Sequence, residues 1–256
     1  MTLEVSRAAL ITGGTSGIGL ATARRLGGDG FGLLITGRDA DRGRETEEKL
    51  QAEGFQAHFV AADVRDQGAA DSAVSTSVQR FGRLDVLVAN AGVGLVAPLI
   101  ATPPEELERL FAVNVIGYLT YVQAARPFLK RSDQAAVVVV SSDSGIRGDV
   151  PFGAYSVTKA AVNMLGRMLA VDLAADGIRV NVICPGDTLP GMRHMGPLDA
   201  PETSSDDPAR WTPSPMGRFA RAEEVADAIA YLAQEGASFI TGSLLTIDGG
   251  SGAGYL

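Results

Sequence analysis

Short apolar runs alternate with longer helical patterns along almost the whole chain, and this alternation limits the folds open to it. The runs are rich in β-branched residues and nearly continuous in apolar side chains, which indicates strands buried on both faces. Helical connections between such strands require a parallel sheet with right-handed crossovers. The pattern therefore predicts one α/β domain over 1–256, with a doubly wound parallel sheet of about seven strands. The predicted strands are 7–12, 31–36, 55–62, 84–89, 135–142, 178–183 and 243–248.

Charge and composition exclude several classes of function. The formal net charge is −8, and no run of Lys or Arg could neutralise a line of phosphates, so a nucleic-acid partner is excluded. The apolar runs are far shorter than the roughly 20 residues of a membrane span, and the first residues lack the pattern of a secretion signal. The single Cys184 cannot form an internal disulfide, which suits a reducing compartment. We expect a soluble, cytoplasmic protein without a membrane partner.

A glycine-rich turn joins the first predicted strand to the first helix. Residues 12–19 read TGGTSGIG, and the glycines allow a tight turn, close approach of a pyrophosphate and close packing of the helix on the sheet. The free N–H groups at the start of the helix would bind the anion. The spacing GxxxGxG differs from the standard GxGxxG, so the prediction of a dinucleotide-binding turn rests on its position between strand and helix. The expected cofactor contacts are Gly13, Thr15, Ser16, Gly17, Ile18 and Gly19.

The ends of the next strands predict where the rest of the dinucleotide lies. Arg38 comes directly after Gly37 at the end of the second strand, and Asp39 follows one residue later. An arginine here can bind the 2′-phosphate of NADP(H), whereas a carboxylate would bind the 2′-hydroxyl of NAD(H). We expect NADP(H) to be preferred, with NAD(H) as the alternative. The adenine site and a second close-approach turn are expected at Asp63, Val64, Asn90, Ala91 and Gly92.

The motifs described so far, together with others further along the chain, have the order and spacing of those in the short-chain dehydrogenase/reductase family. The sequence resembles this family along essentially its whole length. The motifs are TGGTSGIG at 12–19, DV at 63–64, NAG at 90–92, NV at 114–115, SSDSG at 141–145, YSVTK at 155–159, PG at 185–186 and FITGSLLTIDGG at 239–250. The resemblance implies a Rossmann-type domain and an NAD(P)-dependent oxidoreductase, usually tetrameric or dimeric, that acts on alcohols or ketones. It also implies a catalytic set of Asn114, Ser142, Tyr155 and Lys159, and further cofactor contacts at Tyr155, Lys159, Pro185, Gly186 and Thr188.

Each member of the catalytic set has an expected role in reducing a ketone. The alkoxide that forms during hydride transfer needs a proton, and the Tyr155 phenol is the expected donor. Lys159 lies one helical turn further on, where its ammonium would favour the phenolate and also hold the nicotinamide ribose. Ser142 would hydrogen-bond the carbonyl oxygen. Asn114, on one long helix predicted over 104–129, would complete a water-linked proton path to Lys159.

Residues 187–215 interrupt the regular pattern. They hold six of the twelve prolines and show neither strand nor helix periodicity. The segment follows the sixth strand at the carboxyl edge of the sheet, where open α/β folds bind ligands, so we interpret it as a substrate lid. The residues that could line an apolar pocket there are Met192, His194, Met195, Leu198 and Trp211.

Other polar residues receive structural interpretations. Asp143 and Arg147 follow Ser142 and could contact a polar substrate group, although solvated loop charges are the preferred interpretation. His58 is interpreted as structural. No cluster of His, Cys and Asp has metal-ligand spacing, so no catalytic metal is expected.

The helix pattern over 160–173 is apolar on nearly every side, which predicts a partner helix. The family resemblance implies a homotetramer, with a homodimer as the alternative. Three functions remain open: an NADP(H)-dependent oxidoreductase of ketones and secondary alcohols, an NAD-dependent alcohol dehydrogenase with the same site, and a non-catalytic dinucleotide-binding sensor. The complete catalytic set favours an enzyme over the sensor.

Overall fold

The computed structural model describes residues 5–192, 196 and 214–254, and a parallel β-sheet forms its centre. The strands are β1 (Arg7–Thr12), β2 (Phe31–Gly37), β3 (Ala57–Ala61), β4 (Val86–Ala89), β5 (Ala136–Val140), β6 (Arg179–Pro185), β7 (Thr188–Leu189), β8 (Ala220–Arg221) and β9 (Leu244–Ile247). Seven of them form the main sheet in the order β3-β2-β1-β4-β5-β6-β9, and every neighbouring pair is parallel. The predicted doubly wound sheet is confirmed, with strand bounds that differ by two residues or fewer.

Helices cover both faces of this sheet. They are α1 (Gly17–Gly28), α2 (Ala40–Ala52), α3 (Gln67–Phe81), α4 (Pro104–Phe111), α5 (Gly117–Leu129), α6 (Gly153–Leu173) and α7 (Ala222–Ala233). Successive side chains of a strand point to opposite faces. Leu10 therefore packs into one core with α3, α5 and α6, whereas Ile11 packs into the other core with α1, α2 and α7. This two-sided burial explains why the strands read as continuous apolar runs.

The strand order reverses at β1, which places a crevice between the carboxyl ends of β1 and β4. The chain proceeds outward from β1 to β3 and then returns to β4 on the other side of β1. Thr12, the last residue of β1, holds the turn after β4 in place. Its Oγ1 accepts hydrogen bonds from the Asn90 N–H at 2.9 Å and the Ala91 N–H at 3.0 Å. Open α/β sheets bind their ligands at such a reversal point.

The prediction of a single helix over 104–129 is wrong at its centre. The structure divides this region into α4, a π-helical segment over Ala112–Ile116 and α5. Asn114 lies in the π-helical segment and is fully buried, with its amide bonded to the loop after β4. A π turn adds a residue to the helix and redirects a side chain, which is common at functional sites. Apolar periodicity does not reveal this extra residue, because α-helix continues directly on both sides of the π-helical segment.

The predicted lid over 187–215 is described only at its ends. Residues 193–195 and 197–213 lie outside the described residues, and His194, Met195, Leu198 and Trp211 lie among them. Beyond β6, the short strand β7 pairs in parallel with β8, a ladder that the sequence did not predict. The Val96 N–H donates to the Gly196 carbonyl oxygen at 2.9 Å. These contacts place the described parts of the segment beside the carboxyl edge of the sheet.

Candidate active site

A cavity of about 540 Å³ opens at the carboxyl edge of the sheet. Its wall is formed by the loops after β1 to β6 and by the first turns of α6. Three of the four predicted catalytic residues line this cavity, and Asn114 lies behind its wall. The structure brings to the wall Gly13, Thr15, Ser16, Gly17, Ile18, Gly19, Arg38, Asp63, Val64, Asn90, Ala91, Gly92, Ser142, Tyr155, Lys159, Pro185, Gly186 and Thr188.

The loop between β1 and α1 forms a backbone cradle in the wall of the cavity. Gly13 and Gly17 adopt φ values of +66° and +50°, in the left-handed region that favours glycine. A Cβ added to Gly19 would lie 2.2 Å from the Gly13 carbonyl oxygen, so no larger residue fits there. Ser16 precedes α1 without a side-chain capping bond, which leaves the first N–H groups of the helix available to an anion. This cradle fits the diphosphate of a dinucleotide.

Charged residues line the cavity after β2 and β3. Arg38 is exposed and makes no hydrogen bond or ion pair within the described part of the chain. Asp63 is bound by Arg65, whose Nη2 lies 2.6 Å from Asp63 Oδ2. This hydrogen bond holds the pKa of Asp63 below its usual value, and the charge of Arg38 adds a smaller effect in the same direction. Arg38 is therefore a cation available to a ligand.

Tyr155 and Lys159 lie on successive turns of α6 and line the same cavity. Lys159 is only 1% exposed, its Nζ lies 5.6 Å from the centre of the Tyr155 ring, and it donates to the Val140 carbonyl oxygen at 2.9 Å. Burial lowers the pKa of Lys159 to about 8. Burial also raises the pKa of Tyr155 and outweighs the hydrogen bond with Ser142, which lowers it. Within the protein alone, desolvation of the phenolate therefore opposes the acidification of Tyr155 that the sequence predicted.

The turn after β5 fixes the Ser142 hydroxyl. Ser142 Oγ accepts a hydrogen bond from the Ser144 N–H at 3.2 Å and donates to Asp143 Oδ1 at 3.1 Å. The turn is also fastened to α6, because Ser141 Oγ donates to the Lys159 carbonyl oxygen at 3.0 Å. Ser142 and the helix that carries Tyr155 and Lys159 are thus held in a fixed relation.

The interpretation of Asp143 as a solvated loop charge is wrong. Its side chain is buried and bonded to Ser142, and Arg147 Nη2 lies 3.2 Å from its Oδ2. Burial raises the pKa of Asp143. Asp187, which the sequence reasoning missed, lines the cavity too, where desolvation raises its pKa to about 6 and the charges of Asp143 and Asp149 act in the same direction. The only available signal for Asp187 was its place directly after the PG motif.

Asn114 lies behind the cavity wall. Its Oδ1 accepts from the Val93 N–H at 2.9 Å, and its Nδ2 donates to the Val93 carbonyl oxygen at 2.9 Å and to Thr158 Oγ1 at 3.0 Å. Gly92 lies between Asn114 and Lys159. A Cβ added to Gly92 would be 3.4 Å from Asn114 Oδ1 and 3.7 Å from Lys159 Nζ. The lack of a side chain at Gly92 leaves the space between these two polar groups open.

The surroundings of His58 and Cys184 are typical of residues with a structural role. His58 Nδ1 lies 2.8 Å from Glu47 Oε1. Burial raises the pKa of the Cys184 thiol to about 11, which disfavours the reactive thiolate. Among the described residues, no group of three or more His, Cys, Asp and Glu side chains could hold a metal ion. None of the described helices is both long enough and apolar enough to cross a bilayer.

A doubly wound sheet with a glycine cradle at its carboxyl edge defines a dinucleotide-binding protein of the Rossmann type. A family model described as enoyl-(acyl carrier protein) reductase matches residues 13–252. The chain is 38% identical over 245 residues to a cis-4-hydroxycyclohexanecarboxylate dehydrogenase from Sinomonas cyclohexanicum, covering 95% of this chain and 96% of that protein. It is 34% identical over 253 residues to an (S)-acetoin-forming diacetyl reductase from Staphylococcus epidermidis, covering 96% and 98%. The crystal structure of a dehydrogenase/reductase from Sinorhizobium meliloti 1021 matches with a TM-score of 0.84 and 31% identity, covering 96% of this chain and 95% of that one.

The chain belongs to the short-chain dehydrogenase/reductase family. It is an oxidoreductase that acts on the CH–OH or C=O groups of small molecules with a nicotinamide cofactor, NAD(P)(H). The resemblance drawn from the sequence motifs is confirmed.

Proposed function

We propose that the chain is an NADP(H)-dependent oxidoreductase of ketones and secondary alcohols, with Tyr155 as its general acid and base. The observation that carries this proposal is that Ser142, Tyr155 and Lys159 line the same cavity as the glycine cradle. The cradle and the exposed Arg38 are the groups that would hold the dinucleotide. When bound, its nicotinamide supplies or accepts the hydride.

The catalytic roles follow from the surroundings of each side chain. Tyr155 is buried with a raised pKa, so it is protonated at neutral pH and can donate to an alkoxide as it forms. Ser142, fixed by its turn, would donate a hydrogen bond to the substrate oxygen. Lys159 would stabilise the phenolate that remains. Asn114 would support resupply of the proton through the space beside Gly92.

Turnover of a substrate panel tests the proposed reaction. We expect NADPH to be oxidised in the presence of ketones and NADP⁺ to be reduced in the presence of secondary alcohols, as followed by NADPH absorbance. Tight NADPH binding with no turnover across a broad panel of both substrate types would instead support the dinucleotide sensor.

The proposed preference for NADP(H) rests on the residues that follow β2 in the cavity wall. Arg38 makes no hydrogen bond or ion pair in the described part of the chain, whereas the Asp39 carboxylate accepts from the Arg42 N–H at 3.0 Å. The test compares the dissociation constants of NADPH and NADH for the wild type and for Arg38→Asp. We expect the wild type to bind NADPH more tightly and the variant to lose that preference. Tighter binding of NADH by the wild type would replace this proposal with the NAD-dependent alcohol dehydrogenase.

A small, uncharged ketone or secondary alcohol is the proposed substrate. Two relatives have names that refer to a cyclic hydroxy acid and to diacetyl, both of which carry an alcohol or ketone group. Here Asp143, Asp149 and Asp187 line the cavity together, which disfavours a substrate with a carboxylate of its own.

We propose a homotetramer, with a homodimer as the alternative. Exposed apolar side chains follow one side of α6, at Val157, Met164, Met168 and Val171. Phe239 is fully exposed elsewhere on the surface and provides a second apolar position. Sedimentation of a monomer at micromolar concentration would contradict both assemblies. We also propose a single domain over 1–256 and a cytoplasmic location.

A further inference from the structure

A second arginine, Arg42, lines the cavity beside Arg38. It lies in the first turn of α2, four residues after Arg38, and its side chain is 36% exposed. The sequence reasoning named only Arg38 at this position, because a helix residue four places on has no obvious relation to the end of a strand. The fold brings both side chains to the same wall.

Asp39 ties Arg42 to this wall. The Asp39 carboxylate caps α2 by accepting from the Arg42 N–H at 3.0 Å, and its Oδ2 lies 2.8 Å from the Arg42 guanidinium. The carboxylate that could accept a hydrogen bond from the 2′-hydroxyl of NAD thus has a contact from Arg42 at each of its two oxygens. A guanidinium carries five N–H donors, so Arg42 can keep Asp39 and still donate to a further anion.

The charges at this wall favour a phosphate. Arg38 and Arg42 together outweigh Asp39 by one positive charge, and the neighbouring Asp63 is neutralised by Arg65. A phosphate monoester carries nearly two negative charges at neutral pH and binds arginine through paired, charge-assisted hydrogen bonds. A hydroxyl would gain little from the same surroundings.

We propose that Arg42 is a second determinant of cofactor specificity, and that Arg38 and Arg42 together bind the 2′-phosphate of NADP(H). This inference rests on the proposed preference for NADP(H). It assigns part of that preference to a helix residue held in place by Asp39.

The test measures binding and does not depend on turnover. Dissociation constants of NADPH and NADH are determined by cofactor fluorescence for the wild type and for Arg38→Gln, Arg42→Gln and the double variant. We expect Arg42→Gln to weaken NADPH binding about tenfold, as for loss of a charge-assisted hydrogen bond, and to leave NADH binding unchanged. The double variant should lose the discrimination between the two cofactors. Adenosine 2′-monophosphate, which carries the phosphate without the nicotinamide, should show the same loss as NADPH.

Arg44→Gln is the matched control. Arg44 lies on the same helix and pairs with Asp41, but it is exposed and does not line the cavity. Its variant should bind both cofactors as the wild type does. If Arg42→Gln leaves NADPH binding unchanged while Arg38→Gln weakens it, the inference about Arg42 is overturned and the NADP(H) preference stands. If the wild type binds NADH as tightly as NADPH, both are overturned.

Discussion

The Lys159 ammonium lies 5.6 Å from the centre of the Tyr155 ring, and both side chains are buried in the wall of the same cavity. We expect Tyr155→Phe to lower turnover by about two orders of magnitude or more, since it removes the proposed proton donor. NADPH binding should stay near normal, because the ring shape is retained. Steady-state rates and NADPH titration by fluorescence measure the two quantities.

Tyr118→Phe is a close control for this change. The Tyr118 ring also lies 5.6 Å from Lys159 Nζ, and its hydroxyl donates to the Val140 carbonyl oxygen at 3.2 Å, but Tyr118 does not line the cavity. Its variant should keep near wild-type turnover. Activity retained by Tyr155→Phe would remove Tyr155 from the mechanism.

Lys159 should be required for turnover and should also lower the free energy of unfolding. Its charged form is buried with one protein acceptor among the described residues, the Val140 carbonyl oxygen. We expect Lys159→Met to abolish turnover and to raise the free energy of unfolding at pH 7 by on the order of 1 to 3 kcal/mol, because a buried charge is replaced by an apolar chain. Thermal or urea unfolding measures this gain. Lys130→Met, which removes an exposed lysine paired with Asp176, should bring no comparable gain.

The lowered pKa of Lys159 should also make the stability of the protein depend on pH. The pKa of Lys159 is about 8 in the folded protein and 10.5 in its ordinary state. At pH values between these two, the unfolded chain binds more protons at Lys159 than the folded protein does. Lys159 therefore makes the wild type more stable as pH rises. The stability difference between Lys159→Met and the wild type should therefore shrink from pH 8 toward pH 10. A difference that is constant over this range would contradict the burial of a charged Lys159.

Gly92 keeps open the space between Asn114 and Lys159. A methyl group there would lie 3.4 Å from Asn114 Oδ1 and 3.7 Å from Lys159 Nζ, ordinary contacts that the fold can accept. We expect Gly92→Ala to fold normally and to lower turnover about a hundredfold, at the low end of what proton transfer contributes. Gly148→Ala, at a glycine with nothing within 4 Å of an added Cβ, serves as control. Unchanged turnover in Gly92→Ala would place the proton path elsewhere.

Asp187 should make substrate preference depend on pH. Its pKa is raised to about 6, so the carboxylate gains its charge as pH rises from 5 to 7. We expect KM for cis-4-hydroxycyclohexanecarboxylate to rise over this range, because two like charges then share the cavity, and KM for cyclohexanol to stay constant. Asp187→Asn should flatten the first profile.

Asp133→Asn removes the same charge at a side chain that is 87% exposed, and it should leave both substrate profiles unchanged. Parallel pH profiles for the charged and uncharged substrates in the wild type would show that Asp187 does not face the substrate.

The sequence by itself determined the order of elements and most of the cavity wall. Continuous apolar runs predicted strands buried on both faces, and in a parallel sheet the residues that follow such strands meet at one edge. Gly13 to Gly19, Asn90 and Ser142 could therefore be placed without a structure. Tyr155 and Lys159 could be paired as well, because residues four apart on a helix share a face.

Only the tertiary structure decided the surroundings of the functional side chains, which set their protonation and their orientation. Lys159 is buried against Val140, Asn114 is turned by a π-helical segment, Asp143 is covered beside Ser142, and Arg42 reaches the wall of Arg38. Local patterns encode which face of an element is apolar. They do not encode which distant residue desolvates a side chain, and that desolvation decides the pKa of Lys159, Tyr155 and Asp187.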